Sequence, residues 1–194
     1  TPGVLRQVSE RNLSAYFCLV GSQLRKGEEQ IDIARESLTL GHTLVNHSST
    51  HGIALGDEPL QSHAGREIAD NHQLMGDKLG DWGAPWFRPF GRGGQLGHHL
   101  LSESAVAHLE SLRYSVLIWN SVPRDWEDVG GWVYTALQQS SSHRHTVVVL
   151  HDLATGAMNH LGAFRDASLE KGDVFKLNFL TNVCQCVRVS LRGM

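Results

Sequence analysis

Two histidines four positions apart, His47 and His51, stand in the segment Gly41-His-Thr-Leu-Val-Asn-His-Ser-Ser-Thr-His51, directly after an apolar run. Two imidazoles presented within one turn of backbone are how a chain offers two nitrogen ligands to a divalent metal. No glutamate follows His47, so this is not the H-E-x-x-H arrangement, which carries its general base between the ligands. A metal held here needs a third ligand, and its chemistry needs a base, from elsewhere in the chain. Three further groups of reactive side chains follow: Arg88-Pro-Phe-Gly91, Trp119 to Trp126 with Asp125 inside it, and His151-Asp152, which closes four apolar residues.

The elements that must position these groups alternate along the chain. A helix starts at Thr1-Pro2, where Val4, Leu5 and Val8 share one face. Residues 14–20 read as a buried strand closed by Gly21. A polar helix over 28–38 and a short strand over 43–46 then lead to the histidine pair. The longest helical stretch is 62–79, with Ile68, Leu74, Met75 and Leu79 as its apolar residues. An extended 84–88, a glycine-rich loop (91–97) and a helix opening at Ser102 come next, with Ala105, Val106, Leu109 and Leu112 on that helix's apolar face. The spacing then predicts a strand over 114–119, a helix over 131–139, a β-branched strand over 145–150, a helix over 157–171 stopped by Gly172, and a last strand over 174–179.

Six strands separated by helices predict an α/β fold with a mainly parallel sheet or barrel. No repeat or linker divides the chain, so residues 1–194 read as a single domain. All four reactive groups fall at predicted C-terminal strand ends, the rim where chemistry sits in such folds. The series opens on a helix, whereas β/α alternation normally begins with a strand. A first strand is therefore expected to be missing, together with whatever its C-terminal end carried.

Composition narrows the partners. With 41% apolar and 19% charged residues the chain is globular, and a net charge of −3 offers no broad basic surface for nucleic acid. No apolar run is long enough to span a bilayer. Cys18 sits in an apolar run and reads as a small core residue. Cys184 and Cys186 flank Gln185 in a segment that reads as extended, where a bond between them would be strained and a two-thiol metal site lacks partners, so neither special role is expected. With 12 histidines in the chain, chance pairs are easy, and His98-His99 and His143/His145 read as solvent-exposed loop residues. Arg88 could be an ordinary surface ion-pair residue, and Asp125 could simply open a turn with Pro123.

Taken in order, these segments resemble the polysaccharide deacetylase family, the NodB-type domain of carbohydrate esterase family four. Asn46-His47-Ser-Ser-Thr-His51 matches that family's second motif, H-[ST]-x-x-H. Trp86-Phe87-Arg88-Pro89-Phe90-Gly91 is close to its third, Arg-Pro-Pro-Tyr-Gly, but one residue short. Trp119-Asn-Ser-Val-Pro-Arg-Asp125-Trp126 is similar to the fourth, and Val147-Val-Val-Leu150-His151-Asp152 to the fifth. Leu13-Ser-Ala-Tyr-Phe-Cys-Leu-Val-Gly21 is similar to the family's second strand.

The resemblance implies a distorted (β/α)7 barrel, here with the first strand missing. It implies metal-dependent hydrolysis of an N- or O-acetyl group on a polysaccharide or other glycan. His47 and His51 would be ligands to a divalent metal, zinc above all, which acidifies its bound water and polarises the acetyl carbonyl. His151 would be the general acid, Asp125 the carboxylate that keeps it charged, and Arg88 the residue that orients the base. The Phe90 backbone N–H would stabilise the oxyanion, and Trp126 with Val149 would line the acetyl pocket. The family's first motif, Thr-Phe-Asp-Asp, supplies the third ligand and the base; it ends shortly before the segment matching Thr1-Pro-Gly-Val-Leu5 and has no counterpart here. The alternative is a non-catalytic carbohydrate-binding or scaffolding domain of the same fold; a more distant one is an esterase or amidase acting on a small non-carbohydrate substrate. A secreted or cell-envelope location follows from the family analogy alone.

Overall fold

Short apolar runs become strands where their backbone finds a parallel partner. The computed structural model, which describes residues 2–57 and 61–175, pairs four of them. In chain order the elements are α1 (Pro2–Glu10), β1 (Tyr16–Leu19), α2 (Gly21–Leu24), α3 (Glu28–Thr39), β2 (Thr43–Asn46), α4 (Gln61–Leu79), β3 (Trp86–Phe87), α5 (Glu103–Ser111), β4 (Ser115–Val116), α6 (Trp132–Ser141), a 3-10 turn (Ala157–His160) and α7 (Leu161–Glu170). The described residues divide into two compact units, one of residues 14–118 and one of residues 2–13 with 119–175.

The first unit is an α/β layer. Its parallel sheet runs β1-β2-β3-β4 and does not close, as in an incomplete (β/α) barrel. The register sets Cys18 against Val45, Leu19 against Asn46, Asn46 against Phe87, and Phe87 against Val116. Leu44, Val45 and Phe87 are buried on the sheet with Ile31, Ile68, Met75 and Leu109 from the helices. Prolines 85 and 89 bracket β3 and hold it to two residues, because a proline donates no hydrogen bond to a ladder. Ser102 caps α5 by accepting from the Ala105 N–H at 3.3 Å. Helices α4 and α5 meet at Gly65, where a Cβ would lie 2.2 Å from the His108 ring.

His42, just before β2, is buried and packs edge-on against Phe17 with ring centroids 5.2 Å apart. Burial pushes its pKa below the ordinary 6.5. The unfolded chain thus takes up a proton near pH 6.5 that the folded protein resists. Stability present above that pH is lost as pH falls, by up to about 1.4 kcal/mol per pH unit until the folded pKa is reached. Urea unfolding should show His42→Leu gaining on the wild type between pH 7 and pH 5.5. A stability difference that stays constant across that range contradicts the assignment.

The second unit holds α1, α6 and α7. Leu5 and Val8 of α1 are buried, as their shared face predicts, and Gln7 donates to the Met158 carbonyl at 3.0 Å. Trp132 is fully buried, donates its indole N–H to the Ala157 carbonyl at 2.9 Å, and meets the Phe164 ring at 5.5 Å. Gly172, at a left-handed φ of 86°, ends α7, with the Asp173 N–H returning to the Ser168 carbonyl at 3.0 Å.

Several expected elements differ. Residues 145–150 form no strand: Val148 makes an isolated parallel bridge to Ser121, and the Asn120 side chain stands in for a neighbouring strand. Its Nδ2 donates to the His145 carbonyl and its Oδ1 accepts from the Val147 N–H, both at 2.8 Å. The helix expected over 157–171 splits, a 3-10 turn preceding α7 behind the left-handed Gly156. The strand expected over 114–119 contracts to Ser115–Val116. The last expected strand, 174–179, lies largely outside the described residues, as do Cys184 and Cys186.

Candidate functional site

β2 ends on Asn46, a fully buried amide whose four hydrogen-bonding positions are all used. Its Nδ2 donates to the Ile68 carbonyl at 3.0 Å and to the Tyr114 hydroxyl at 2.9 Å. Its Oδ1 accepts from Asn71 Nδ2 at 2.9 Å and from the Ser48 N–H at 3.0 Å. Tyr114 in turn shares a hydrogen bond with His72 Nδ1 at 2.9 Å, and burial pushes its phenol pKa up to about 12. Asn71 Oδ1 finds no partner among the described residues, but the Asn46 amide is saturated, and its four bonds fix the strand end that carries His47.

The loop after β2 is held from several sides. Ser48 and His51 both adopt left-handed backbone, with φ of 69° and 57°, a conformation that persists only where the surroundings over-determine it. The Ser48 hydroxyl accepts from the His51 N–H at 3.0 Å. Glu67 of α4 grips Thr50 twice, through its N–H at 2.8 Å and its hydroxyl at 2.9 Å. The Ser49 N–H reaches the Glu67 carbonyl at 2.9 Å. Gly21 lies against the same loop: a Cβ there would stand 2.7 Å from Asn71 Oδ1 and 3.0 Å from the Ser49 carbonyl.

His47, His51, Arg88 and Phe90 come together in this unit. The imidazoles of His47 and His51 meet edge-on with centroids 4.8 Å apart. The Phe90 ring stacks on His51 at 4.2 Å and stands at right angles to His47 at 5.8 Å. Both ring nitrogens of His47 are engaged by Arg88. Nδ1 lies 2.6 Å from the Arg88 carbonyl, which can only accept, so Nδ1 carries the proton. Nε2 is then the lone-pair nitrogen, and Arg88 Nη1 donates to it at 3.4 Å. The Arg88 backbone is fixed by its N–H to the Asn46 carbonyl at 3.0 Å. Its guanidinium also reaches Cys18 on β1: burial pushes that thiol's pKa up, and the charge and hydrogen bond of Arg88 pull it partly back.

Among the described residues the donor set for a divalent metal is incomplete. Among the described residues no group of three or more histidine, cysteine, aspartate or glutamate side chains is placed to share one ion, and a metal needs at least three protein ligands in catalytic sites of the zinc type. The nitrogen of His47 that would bind it accepts from a guanidinium instead. Beside the loop lies a cleft of about 400 Å³, lined by Thr50, Ile53, His63, Arg66, Glu67 and Asp70.

The second unit carries Asp125, Trp126, Val149 and His151. Asp125 is fully buried and accepts twice from His151, from its backbone N–H at 2.8 Å and from Nδ1 at 3.0 Å. The His151 side chain is 36% exposed against 1% for that of Asp125, so the imidazole edge is open to solvent. Trp126, 37% exposed, stands edge-on to His151 with centroids 4.6 Å apart. Val149 is buried and donates its N–H to the Ser121 carbonyl at 2.9 Å. Ser121 is braced by its hydroxyl to Gln139 Oε1 at 2.7 Å.

The sequence alone does not single out Asn46, Asn71, Glu67, Tyr114 or the ring of Phe90, for which the motif implies only a backbone role. Asn46 carried a signal, a polar residue ending an apolar strand. The others sit in helices or at a strand margin, where the sequence shows nothing unusual.

No protein-family model and no curated protein matches the sequence. Solved structures share its fold. The wild-type BA3943 of Bacillus anthracis, a family-four carbohydrate esterase pseudoenzyme, superposes with a TM-score of 0.70 at 16% identity, over 88% of this chain and 56% of its own. The catalytic domain of a peptidoglycan N-acetylglucosamine deacetylase from Eubacterium rectale gives 0.72 at 16% identity, over 90% of this chain and 80% of its own. A family-four carbohydrate esterase from Streptomyces lividans, solved with acetate, gives 0.69 at 18% identity, over 89% and 82%. The chain thus spans less than two thirds of the pseudoenzyme's length, and it shares the fold of these three proteins.

Proposed function

We propose that this chain is a polysaccharide-deacetylase-type domain of carbohydrate esterase family four that binds an acetylated glycan without hydrolysing it. The observation that carries this reading is the donor set: two imidazoles whose lone-pair nitrogen at His47 is engaged by an arginine, with no third donor grouped with them among the described residues. A shared fold with a pseudoenzyme shows that the scaffold persists apart from hydrolysis in at least one protein. The cleft beside the histidine loop offers carboxylates, a guanidinium and a hydroxyl, the groups that hydrogen-bond sugar hydroxyls. Exposed Trp126 supplies an aromatic face of the kind that suits a pyranose ring. Two proteins of this fold carry peptidoglycan N-acetylglucosamine deacetylase in their names, which favours a cell-envelope glycan and a secreted or envelope location. No helix among the described residues is long and apolar enough to cross a membrane.

A second reading is favoured by one observation, the bidentate Asp125–His151 pair with its imidazole edge open to solvent. In a metal-dependent N- or O-deacetylase His151 would be the general acid and Asp125 its partner. Arg88 and the Phe90 N–H would orient and polarise, and Trp126 and Val149 would receive the acetyl group. His47 and His51 would then be zinc ligands, with a third ligand and a base still to be supplied.

The test separates binding from turnover. N-acetylglucosamine oligomers titrated into the protein in EDTA should shift backbone resonances around Thr50, Arg66 and Asp70 saturably. Arg66→Ala should weaken that binding about tenfold, since one charge-assisted hydrogen bond is worth about 1.5–3 kcal/mol. Absence of binding in EDTA contradicts the proposal.

A further inference from the structure

We infer that the Arg88 guanidinium is the resident cation of the two-histidine site, occupying the position at His47 that a divalent metal would need. The inference rests on the non-hydrolytic reading above and gives it a physical cause. A zinc ion binds an imidazole nitrogen at about 2.0–2.1 Å along the lone pair. That lone pair on His47 Nε2 already accepts from Arg88 Nη1 at 3.4 Å. An ion on this nitrogen would press against the guanidinium nitrogen, and the two positive charges would repel at close range. The guanidinium has to leave before a metal can enter.

Four restraints keep it there. The Arg88 carbonyl takes the Nδ1 proton of His47 at 2.6 Å, which turns the lone pair of Nε2 toward the same residue's side chain. The Arg88 N–H is bonded to the Asn46 carbonyl, so the side chain starts from a fixed point on the sheet margin. The far end hydrogen-bonds the Cys18 thiol on β1. Pro89 follows directly, stiffening the backbone, and the Phe90 ring stacks on His51 and holds the second imidazole. An arginine stays protonated at any pH the fold survives, so this cation does not titrate away. One residue thus acts on His47 from both sides, as hydrogen-bond acceptor to one nitrogen and donor to the other.

The test is zinc affinity, measured calorimetrically on the whole chain without glycan. Arg88→Gln should bind zinc at least about tenfold more tightly than the wild type, and His47→Ala in that background should remove the gain. The added substitution separates this site from the other histidines. If Arg88→Gln fails to fold, the wild type alone decides: nitrogen NMR should show His47 protonated on Nδ1, with its Nε2 resonance unmoved by excess zinc. Equal zinc affinity in wild type and Arg88→Gln, both lost on removing His47, overturns the inference. So does a wild-type His47 whose Nε2 resonance shifts with zinc. Glycan binding in EDTA reports separately on the proposed function and stays interpretable whichever result is found.

Discussion

Replacing Asn46 with alanine should cost about 4 kcal/mol of folding stability, near the upper end for a single substitution. The amide is fully buried and makes four hydrogen bonds, two as donor and two as acceptor. Truncation removes one partner each from the Ile68 carbonyl, the Tyr114 oxygen, the Asn71 amide and the Ser48 N–H. Tyr114 keeps His72 and the Asn71 amide keeps the Leu19 carbonyl, so the full penalty falls on the groups with no second partner. Every such group left unpaired away from water costs about 1–3 kcal/mol, and partial relaxation keeps the total below the sum. Most domains have only about 5–15 kcal/mol to lose. Urea unfolding measures the cost directly; a loss under about 1 kcal/mol would show the network to be incidental. The same substitution frees Ser48, whose left-handed backbone leans on Asn46 Oδ1. Proton NMR should therefore show the His47 and His51 ring resonances broadening or shifting while resonances of α6 and α7 hold still. Asn46→Asp discriminates further: it retains acceptors for Ser48 and Asn71 but removes the donor to Ile68 and Tyr114, and it buries a charge.

Asp125→Asn should cost about 2 kcal/mol and reverse the tautomer of His151. The carboxylate accepts from two donors on one residue, the His151 N–H and Nδ1. The two donors reach different oxygens of Asp125, and an asparagine carries an oxygen at only one of those two positions, so in this geometry it satisfies one of them only. If that oxygen keeps the buried backbone N–H, its Nδ2 must face the imidazole, and the ring proton moves to Nε2. Nitrogen NMR reads the tautomer and denaturant unfolding reads the cost. The cost stays moderate because the imidazole edge is solvent-accessible and can find water. A variant that leaves His151 protonated on Nδ1 with unchanged stability would falsify the bidentate geometry.

Where a local rule governed the outcome, the sequence was legible. An apolar run followed by glycine placed β1, and the polar margin of the next run placed β2 and the histidine pair at its end. Ser102 and Gly172 marked a helix start and a helix stop through capping chemistry that depends on neighbours only. Elements decided by distant partners were not legible in this way. Val147 to Leu150 has strand composition, but the Asn120 side chain takes up the hydrogen bonds that a neighbouring strand would have made. β3 and β4 pair over two residues only, because Pro85 and Pro89 end the ladder on both sides.

The candidate site divides along the same line. The residue types at positions 47, 51, 88, 125 and 151 were readable, as was the order in which they occur. Their partnerships were not. A guanidinium on a flexible stem can reach many places, and no spacing rule announces that Arg88 engages both nitrogens of a histidine 41 positions earlier. The motif implies a role for the Phe90 backbone, yet its ring is what touches both imidazoles.

The most direct measurement is acetate release from N-acetylglucosamine oligomers by the 194-residue chain, with saturating zinc and, in parallel, with EDTA. Binding followed in both solutions should be equal, and acetate should not rise above the level of a protein-free control in either. Zinc-dependent acetate release that disappears in the His47→Ala, His51→Ala double variant would contradict the account and establish the metal-dependent deacetylase instead.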